Sequence, residues 1–324
     1  MGFPMTVMRY QKALAAAVRD EMLADPAVLY IGEDVEQSLR GVSSGLAAEF
    51  PGRVRDTPIS EAAFTGFATG AAMAGRRPIV EYQIPTLLYV AFDQIINQAQ
   101  KIRLMTGGQA KVPVTYLFPG SGARLGMAGQ HSDHPYTLLA HCGVKTVVPA
   151  TPQDAYGLVR SAIRDDDPVA VFLPANCLPR KGEVDREQVV PIGPAAVRRE
   201  GAQVTVVALG HLVHETLTVA DELCDQVDVE VIDARVAHPF DWATLAQSVA
   251  KTGRLVVVDD ANRTCGWAAE IAATAAEEMF SHLTAPVRRV TRADVPVPFA
   301  PDLERAVVPS RAAIQDAVLK TVKY

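Results

Sequence analysis

Two residues stand out for what their chemistry and setting allow. Glu61 opens the stretch Ser60-Glu61-Ala62-Ala63-Phe64-Thr65-Gly66-Phe67-Ala68-Thr69-Gly70, which follows the turn at Asp56-Thr57-Pro58 and reads as a helix start. Gly66 and Gly70 lie four apart among alanines, so one face is small enough for another helix to come close, at about 1 kcal/mol per interior glycine. A carboxylate at that end of a helix is favoured by the macrodipole, and on position alone this structural role outweighs a catalytic one. His131 lies in a glycine-rich loop, Gly126-Met127-Ala128-Gly129-Gln130-His131-Ser132. An imidazole with a pKa of about 6.5 can pass protons at neutral pH, although composition alone favours an ordinary loop histidine.

Other reactive side chains carry less. His134 and His141 suit loop or interface roles, while His211, His214, His238 and His282 lack metal-ligand spacing and read as structural. Cys142, Cys177, Cys224 and Cys265 form no CxxC pair and sit beside no histidine cluster, which argues against zinc and for a reduced, cytoplasmic chain.

The elements that must position these residues alternate. Short β-branched runs are expected as strands at Val28 to Ile31, Ile79 to Tyr82, Val112 to Leu117, Lys145 to Val148 and Val169 to Leu173, with helices between them. A second alternation places strands at Val204 to Leu209, Val229 to Ile232, Leu255 to Val258 and Val287 to Val290. Thr151, Asp241 and Ser310 are expected to cap helices, and Gly253 to end one in the left-handed conformation. The run Pro174 to Pro191 is rich in proline and charge and reads as a linker. The expected fold is therefore α/β, with two domains of mainly parallel sheets flanked by helices.

Composition agrees with two folded cores and excludes several classes. The chain has 324 residues, 49% hydrophobic and 21% charged. Its 31 basic and 37 acidic residues give a formal charge of -6 and no basic stripe for a nucleic acid. No apolar run approaches the roughly 20 residues that cross a bilayer, so neither nucleic acid nor membrane is an expected partner.

The stretch around Glu61 resembles the activating-glutamate motif of the beta subunits of thiamine-diphosphate-dependent 2-oxo acid dehydrogenases, those acting on pyruvate, branched-chain 2-oxo acids or acetoin. Further stretches recur in the family's order: Ile31-Gly32-Glu33-Asp34-Val35, Phe92-Asp93-Gln94-Ile95-Ile96-Asn97, Gly129-Gln130-His131-Ser132, Val148-Pro149-Ala150-Thr151-Pro152, Ala162-Ile163-Arg164-Asp165-Asp166-Asp167-Pro168, Gly253-Arg254-Leu255 and Val295-Pro296-Val297-Pro298-Phe299-Ala300-Pro301. The similarity spans nearly the whole chain.

The resemblance implies a transketolase-like pyrimidine-binding domain over residues 1–178, a linker over 179–194 and a transketolase C-terminal domain over 195–324. It implies that Glu61 hydrogen-bonds the 1'-nitrogen of the cofactor's aminopyrimidine, with Gln83 and Leu87 also at the cofactor. His131 then matches the active-site histidine that handles protonation and transfer to a lipoyl group. No Gly-Asp-Gly motif followed by asparagine is present, so Mg2+ and the diphosphate are expected on an alpha subunit, in an α2β2 assembly served by a lipoyl acyltransferase. The backbone around Val114, Ala162, Ile163, Asp165 and Asp167 matches a potassium loop in some relatives, against the plainer reading of a solvated acidic turn.

Two departures bear on substrate. The family commonly has Gln-Phe-Ala-Asp-Phe where this chain has Gln83-Ile84-Pro85-Thr86-Leu87, which removes an aromatic ring and an acid and adds a stiff proline. Asp133 stands where Gln is more usual after His-Ser. A split transketolase-type or acyloin-forming enzyme is the main alternative, and a noncatalytic assembly subunit the other; retention of both Glu61 and His131 argues against the latter.

Overall fold

Apolar runs long enough to be covered on both faces become parallel strands, whose crossover connections lay helices over the sheet. The computed structural model describes residues 5–123 and 126–324 and divides into two units, Met1–Ser121 with Leu138–Ile192, and Gly122–Thr137 with Gly193–Tyr324.

In the first unit a parallel sheet runs in the order Lys145–Val147, Val169–Pro174, Thr115–Ser121, Arg77–Glu81, Val28–Gly32 and Val54–Asp56. The adjacent interior strands Thr115–Ser121 and Val169–Pro174 are buried along their whole length. The expected Val112 start moves to Thr115: Val114 still meets the sheet through its carbonyl, which accepts from Val169 N–H at 3.0 Å, and the strand runs on through Pro119 to Ser121 with a register shift.

Helices Tyr10–Ala24 and Pro152–Arg164 pack against each other. They are tied by buried Glu21, which accepts from Arg160 Nε and Arg164 Nη2, each at 2.7 Å. Thr151 caps the second helix by accepting from Asp154 N–H at 3.1 Å, a contact worth about 1 kcal/mol.

The stretch expected as a linker carries structure of its own. Lys181–Val184 pairs antiparallel with Thr6–Arg9, and Arg186 Nε donates to Asp20 at 3.0 Å. Val190 closes on Gly157, where any Cβ would lie 2.5 Å from Val190 Cγ2. A short, half-exposed ribbon has too few inward positions to show apolar periodicity, which is why sequence pattern does not reveal it.

The second unit holds a sheet in the order Arg288–Arg292, Leu255–Asn262, Val204–Ala208, Val229–Asp233 and Ala196–Arg199, the last antiparallel. The caps expected from sequence form: Asp241 accepts from Thr244 N–H at 3.0 Å, Ser310 from Ala313 N–H at 3.2 Å, and Gly253 ends its helix at φ +69°. Residues 122–137, which include His131, group with this unit.

Candidate active site

Three adjacent parallel strands of the first unit, Val54–Asp56, Val28–Gly32 and Arg77–Glu81, end on the same edge of the sheet. The residues that follow them include Glu61, Glu33 and Gln83. In open α/β sheets the carboxyl ends of strands are where ligands bind, because loops there converge without covering helices.

Glu61 is the first residue of the Glu61–Met73 helix and is buried at 7% exposure. Ser60 precedes it in extended backbone with no side-chain cap bond, so the acidic residue stands alone in the first turn. Its neighbour is the carboxyl of Glu33, within hydrogen-bonding reach. Burial, then the charge and hydrogen bond of Glu61, raise Glu33 to about 7, since two carboxylates in one site cannot both ionise cheaply.

Gln83 ties this pair to the sheet edge, its amide donating to the Glu33 carbonyl while its oxygen accepts from Arg40 Nε at 3.1 Å. Leu87 is half-buried in the single turn Pro85–Tyr89, where Pro85 supplies a first position without a donor.

Below the helix lies a layer of buried hydroxyls. Thr65 Oγ1 and Tyr82 Oη are 2.6 Å apart, and Tyr30 Oη donates to Glu81. Burial pushes Glu81 up to about 7, opposed by the Tyr30 bond and the charge of Arg40. Burial likewise holds the Tyr82 phenol far above its ordinary range, with Tyr116 and Glu61 adding to it. Gly32 is required here: a Cβ on it would sit 2.5 Å from the Glu81 carbonyl oxygen.

Sequence reasoning missed Glu33 and Glu81 as site groups. The available signal was a Gly-Glu pair ending one apolar strand and a Glu-Tyr pair ending the next. The expected close approach to the glycine face is met in part. Gly66 lies 3.6 Å, at its Cβ position, from Gln94 of the π-helical stretch Gln94–Gln100, whereas Gly70 faces open space within the chain.

His131 belongs to the second unit, at the end of the single turn Ala128–His131, and is half-buried. Ala128 carries φ +61°, a left-handed conformation that costs a side-chain-bearing residue about 1 kcal/mol or more. Ser132 N–H closes the turn onto the Ala128 carbonyl at 2.9 Å. Asp133, the unusual acid of this loop, is paired with buried Arg292 at 2.9 Å.

Of the five residues matched to a potassium loop, Ile163, Asp165 and Asp167 already give oxygens to cationic side chains, and Val114 and Ala162 give their carbonyls to backbone N–H groups. Arg77 Nη1 donates to the Ile163 and Asp165 carbonyls at 3.1 and 2.9 Å. The Ala162 carbonyl accepts from Asp165 N–H at 3.3 Å. Lys145 Nζ meets both oxygens of Asp165 at 2.8 Å and Asp167 at 3.1 Å, and Arg103 also pairs with Asp167. A bare cation there has to share the Ile163 and Asp165 oxygens with a guanidinium.

The chain offers two groups suited to the pyrimidine end of thiamine diphosphate, the buried carboxylate of Glu61 and the half-buried apolar side chain of Leu87. Among the described residues there is no cluster of three or more His, Cys, Asp or Glu suited to a metal. None of the helices in the described residues is long and apolar enough to cross a membrane.

Comparison with known proteins bears on both units. Residues 6–181 match the transketolase pyrimidine-binding domain and residues 193–314 the transketolase C-terminal domain. Acetoin:2,6-dichlorophenolindophenol oxidoreductase subunit beta of Cupriavidus necator is 40% identical over 96% of both chains. Pyruvate dehydrogenase E1 component subunit beta-2, mitochondrial, of Oryza sativa subsp. japonica is 43% identical over 93% of this chain and 83% of its own. The corresponding subunit beta of Rickettsia felis is 41% identical over 97% and 98%. Among solved structures, a split-gene transketolase described as an inactive beta4 tetramer superposes with a TM-score of 0.81 at 22% identity, covering 98% of each chain, a likeness of fold.

Proposed function

Because the chain belongs to the family of beta subunits of thiamine-diphosphate-dependent 2-oxo acid dehydrogenases, we propose that Glu61 is its activating carboxylate and that it works with an alpha subunit in an α2β2 enzyme. The observation that carries this reading is the buried Glu61–Glu33 pair at the carboxyl edge of the sheet. A carboxylate so placed can hold or return a proton at the 1'-nitrogen of a bound aminopyrimidine.

When bound, thiamine diphosphate supplies the electron sink that lets a 2-oxo acid lose carbon dioxide. The chain's own residues do the positioning and the proton handling. Glu33, raised to about 7, holds its proton below neutral pH and there adds no second negative charge beside Glu61. Gln83 fixes the Glu33 backbone, and Leu87 offers an apolar contact to the ring. His131 serves protonation and acyl transfer to a lipoyl group on a partner acyltransferase. Mg2+ and the diphosphate fall to the alpha subunit.

The test is co-expression with the candidate alpha subunit and assay of carbon dioxide release from several 2-oxo acids with ferricyanide as acceptor. Release that requires both subunits, the cofactor and Glu61 supports the reading. A stable cofactor-loaded complex that releases none favours transfer to a carbonyl acceptor, for which the Ile84-Pro85-Thr86-Leu87 departure leaves room.

A further inference from the structure

The loop that carries His131 is held by a buried ionic network that the reaction itself does not call for. Arg292, on the edge strand Arg288–Arg292, is 2% exposed and reaches two carboxylates. Its Nη1 donates to Asp133 Oδ1 at 2.9 Å and its Nη2 to Asp260 Oδ1 at 3.3 Å. Asp133 Oδ1 also accepts the His134 backbone N–H at 2.8 Å, and the Asp133 carbonyl accepts from Gly122 N–H at 3.1 Å. His134 Nδ1 lies 3.5 Å from Asp260 Oδ2.

Either side of these contacts the loop is fixed again. Gly126 N–H donates to Glu304 at 3.0 Å, and the Gly129 Cβ position is 3.6 Å from Pro296. Tyr136 donates to Asp259, whose oxygens accept the Ala261 and Ala268 N–H groups at 2.9 and 3.1 Å. Gly122, at φ +84°, leaves room that any Cβ would take, 2.8 Å from Asp260 Oδ2.

A fully buried guanidinium is costly to desolvate unless it is paired, and its planar fork holds the carboxylates it meets in one relative geometry. The network is made wholly of the chain's own groups, on the edge strand, the Leu255–Asn262 strand and the loop itself. Burial opposes ionisation of Asp260, yet Arg292 above all, with His134 and His211, holds it well below the ordinary carboxylate range. The ion pair therefore persists across neutral pH.

We infer that Arg292, through Asp133 and Asp260, is a positioning residue for His131, fixing the loop so that the imidazole meets the acyl-transfer step preorganised. This rests on the reading of His131 given above. Asp133 takes the place of the family's more usual Gln, so the strength of the tie is a property of this chain.

The experiment uses the complex with its alpha subunit and three variants. Asp133→Asn removes the half-exposed end of the pair with little risk to folding, and Arg292→Lys keeps the charge while losing the fork that spans two carboxylates. In both, hydrogen–deuterium exchange over residues 126–137 is expected to quicken, and the ratio of lipoyl-acceptor turnover to ferricyanide turnover to fall about tenfold, as a small misplacement of a catalytic group does. A general loss of stability would lower both turnovers together and leave their ratio unchanged. Parental exchange and a parental ratio in both variants would overturn the inference. His131→Ala separates the two ideas: if it leaves the ratio unchanged, the role of His131 fails, whereas a lowered ratio there beside parental values in Asp133→Asn and Arg292→Lys sinks the positioning role alone.

Discussion

The carboxyl of Glu33, just past one parallel strand, feels that of Glu61, which opens the helix after the neighbouring strand, and the pair cannot carry two charges without penalty. A place in the first helical turn does not by itself require such a partner. Glu61→Gln is nearly the same size and keeps a hydrogen-bonding end, so folding and assembly with the alpha subunit are expected to persist. Turnover should fall by about a hundredfold or more, the scale of a lost proton-handling group. Size-exclusion chromatography of the complex beside steady-state turnover checks both halves, and undiminished turnover would remove Glu61 from the mechanism.

Glu33 is raised to about 7, chiefly by burial and then by Glu61. It is protonated below that pH and ionises above it, when repulsion from Glu61 splits the pair. Activity that depends on the singly charged pair should therefore decline as pH rises through about 7. Glu33→Gln fixes the neutral form and is expected to abolish that decline. A pH–rate profile from pH 6 to 9 for parent and variant decides it, and identical alkaline limbs would show that Glu33 does not govern Glu61.

Glu81 makes a prediction about stability alone. Its folded pKa of about 7 lies above the ordinary carboxyl value. Its contribution is thus fully present below about pH 4.5 and is lost as pH rises through 7. Gln at this position can still accept from Tyr30 and has no charge to bury. Glu81→Gln is expected to be more stable than the parent at pH 8 by about 1 to 3 kcal/mol, and to show little gain at pH 5. Urea melts of parent and variant at the two pH values test the sign; a gain over the parent no larger at pH 8 than at pH 5 would contradict it.

How much of this was legible in the sequence depended on the kind of interaction. Thr151, Asp241, Ser310 and Gly253 announced helix ends because capping acts within three or four residues. The strands at Val28, Val169 and Val204 announced themselves by unbroken apolar runs. Glu61 and His131 were recognisable through ordered resemblance and not through spacing. Glu33 with Glu61, and Asp133 with Arg292, are pairings between distant positions that only the closed fold brings together, so no local pattern encodes them. Lys181–Val184 was hidden because its partner, Thr6–Arg9, lies at the other end of the unit.

Arg77 joins the loop after the Pro152–Arg164 helix to the strand it begins, donating to the Ile163 and Asp165 carbonyls and to Asp166 Oδ1 at 2.7 Å. Arg77→Leu leaves the two carbonyls without a cation, while Lys111 still pairs with Asp166 at 2.7 Å, and is expected to cost about 2 kcal/mol, the scale of charge-assisted hydrogen bonds in a partly exposed site. Freed carbonyls can then take a bare ion. The loss should accordingly be smaller in potassium chloride than in tetramethylammonium chloride at equal ionic strength. Thermal melts in the two salts measure it, and equal losses would confine these oxygens to hydrogen bonding.

His131 ends a turn whose Ala128 is held in the left-handed region and whose flanks are tied at Gly126 and Asp133. Such a mount suits a group that must meet a mobile acceptor in one orientation. His131→Ala removes the imidazole without touching those ties, so thiamine diphosphate binding by the complex is expected to be unchanged. Turnover with a lipoyl acceptor should fall by about a hundredfold, while ferricyanide turnover, which needs no acyl transfer, falls less. Titrating the cofactor and then comparing the two acceptors on one preparation separates binding from the later step. Equal losses with both acceptors would move His131 from acyl transfer to an earlier proton transfer, and no loss with either would leave it an ordinary loop histidine.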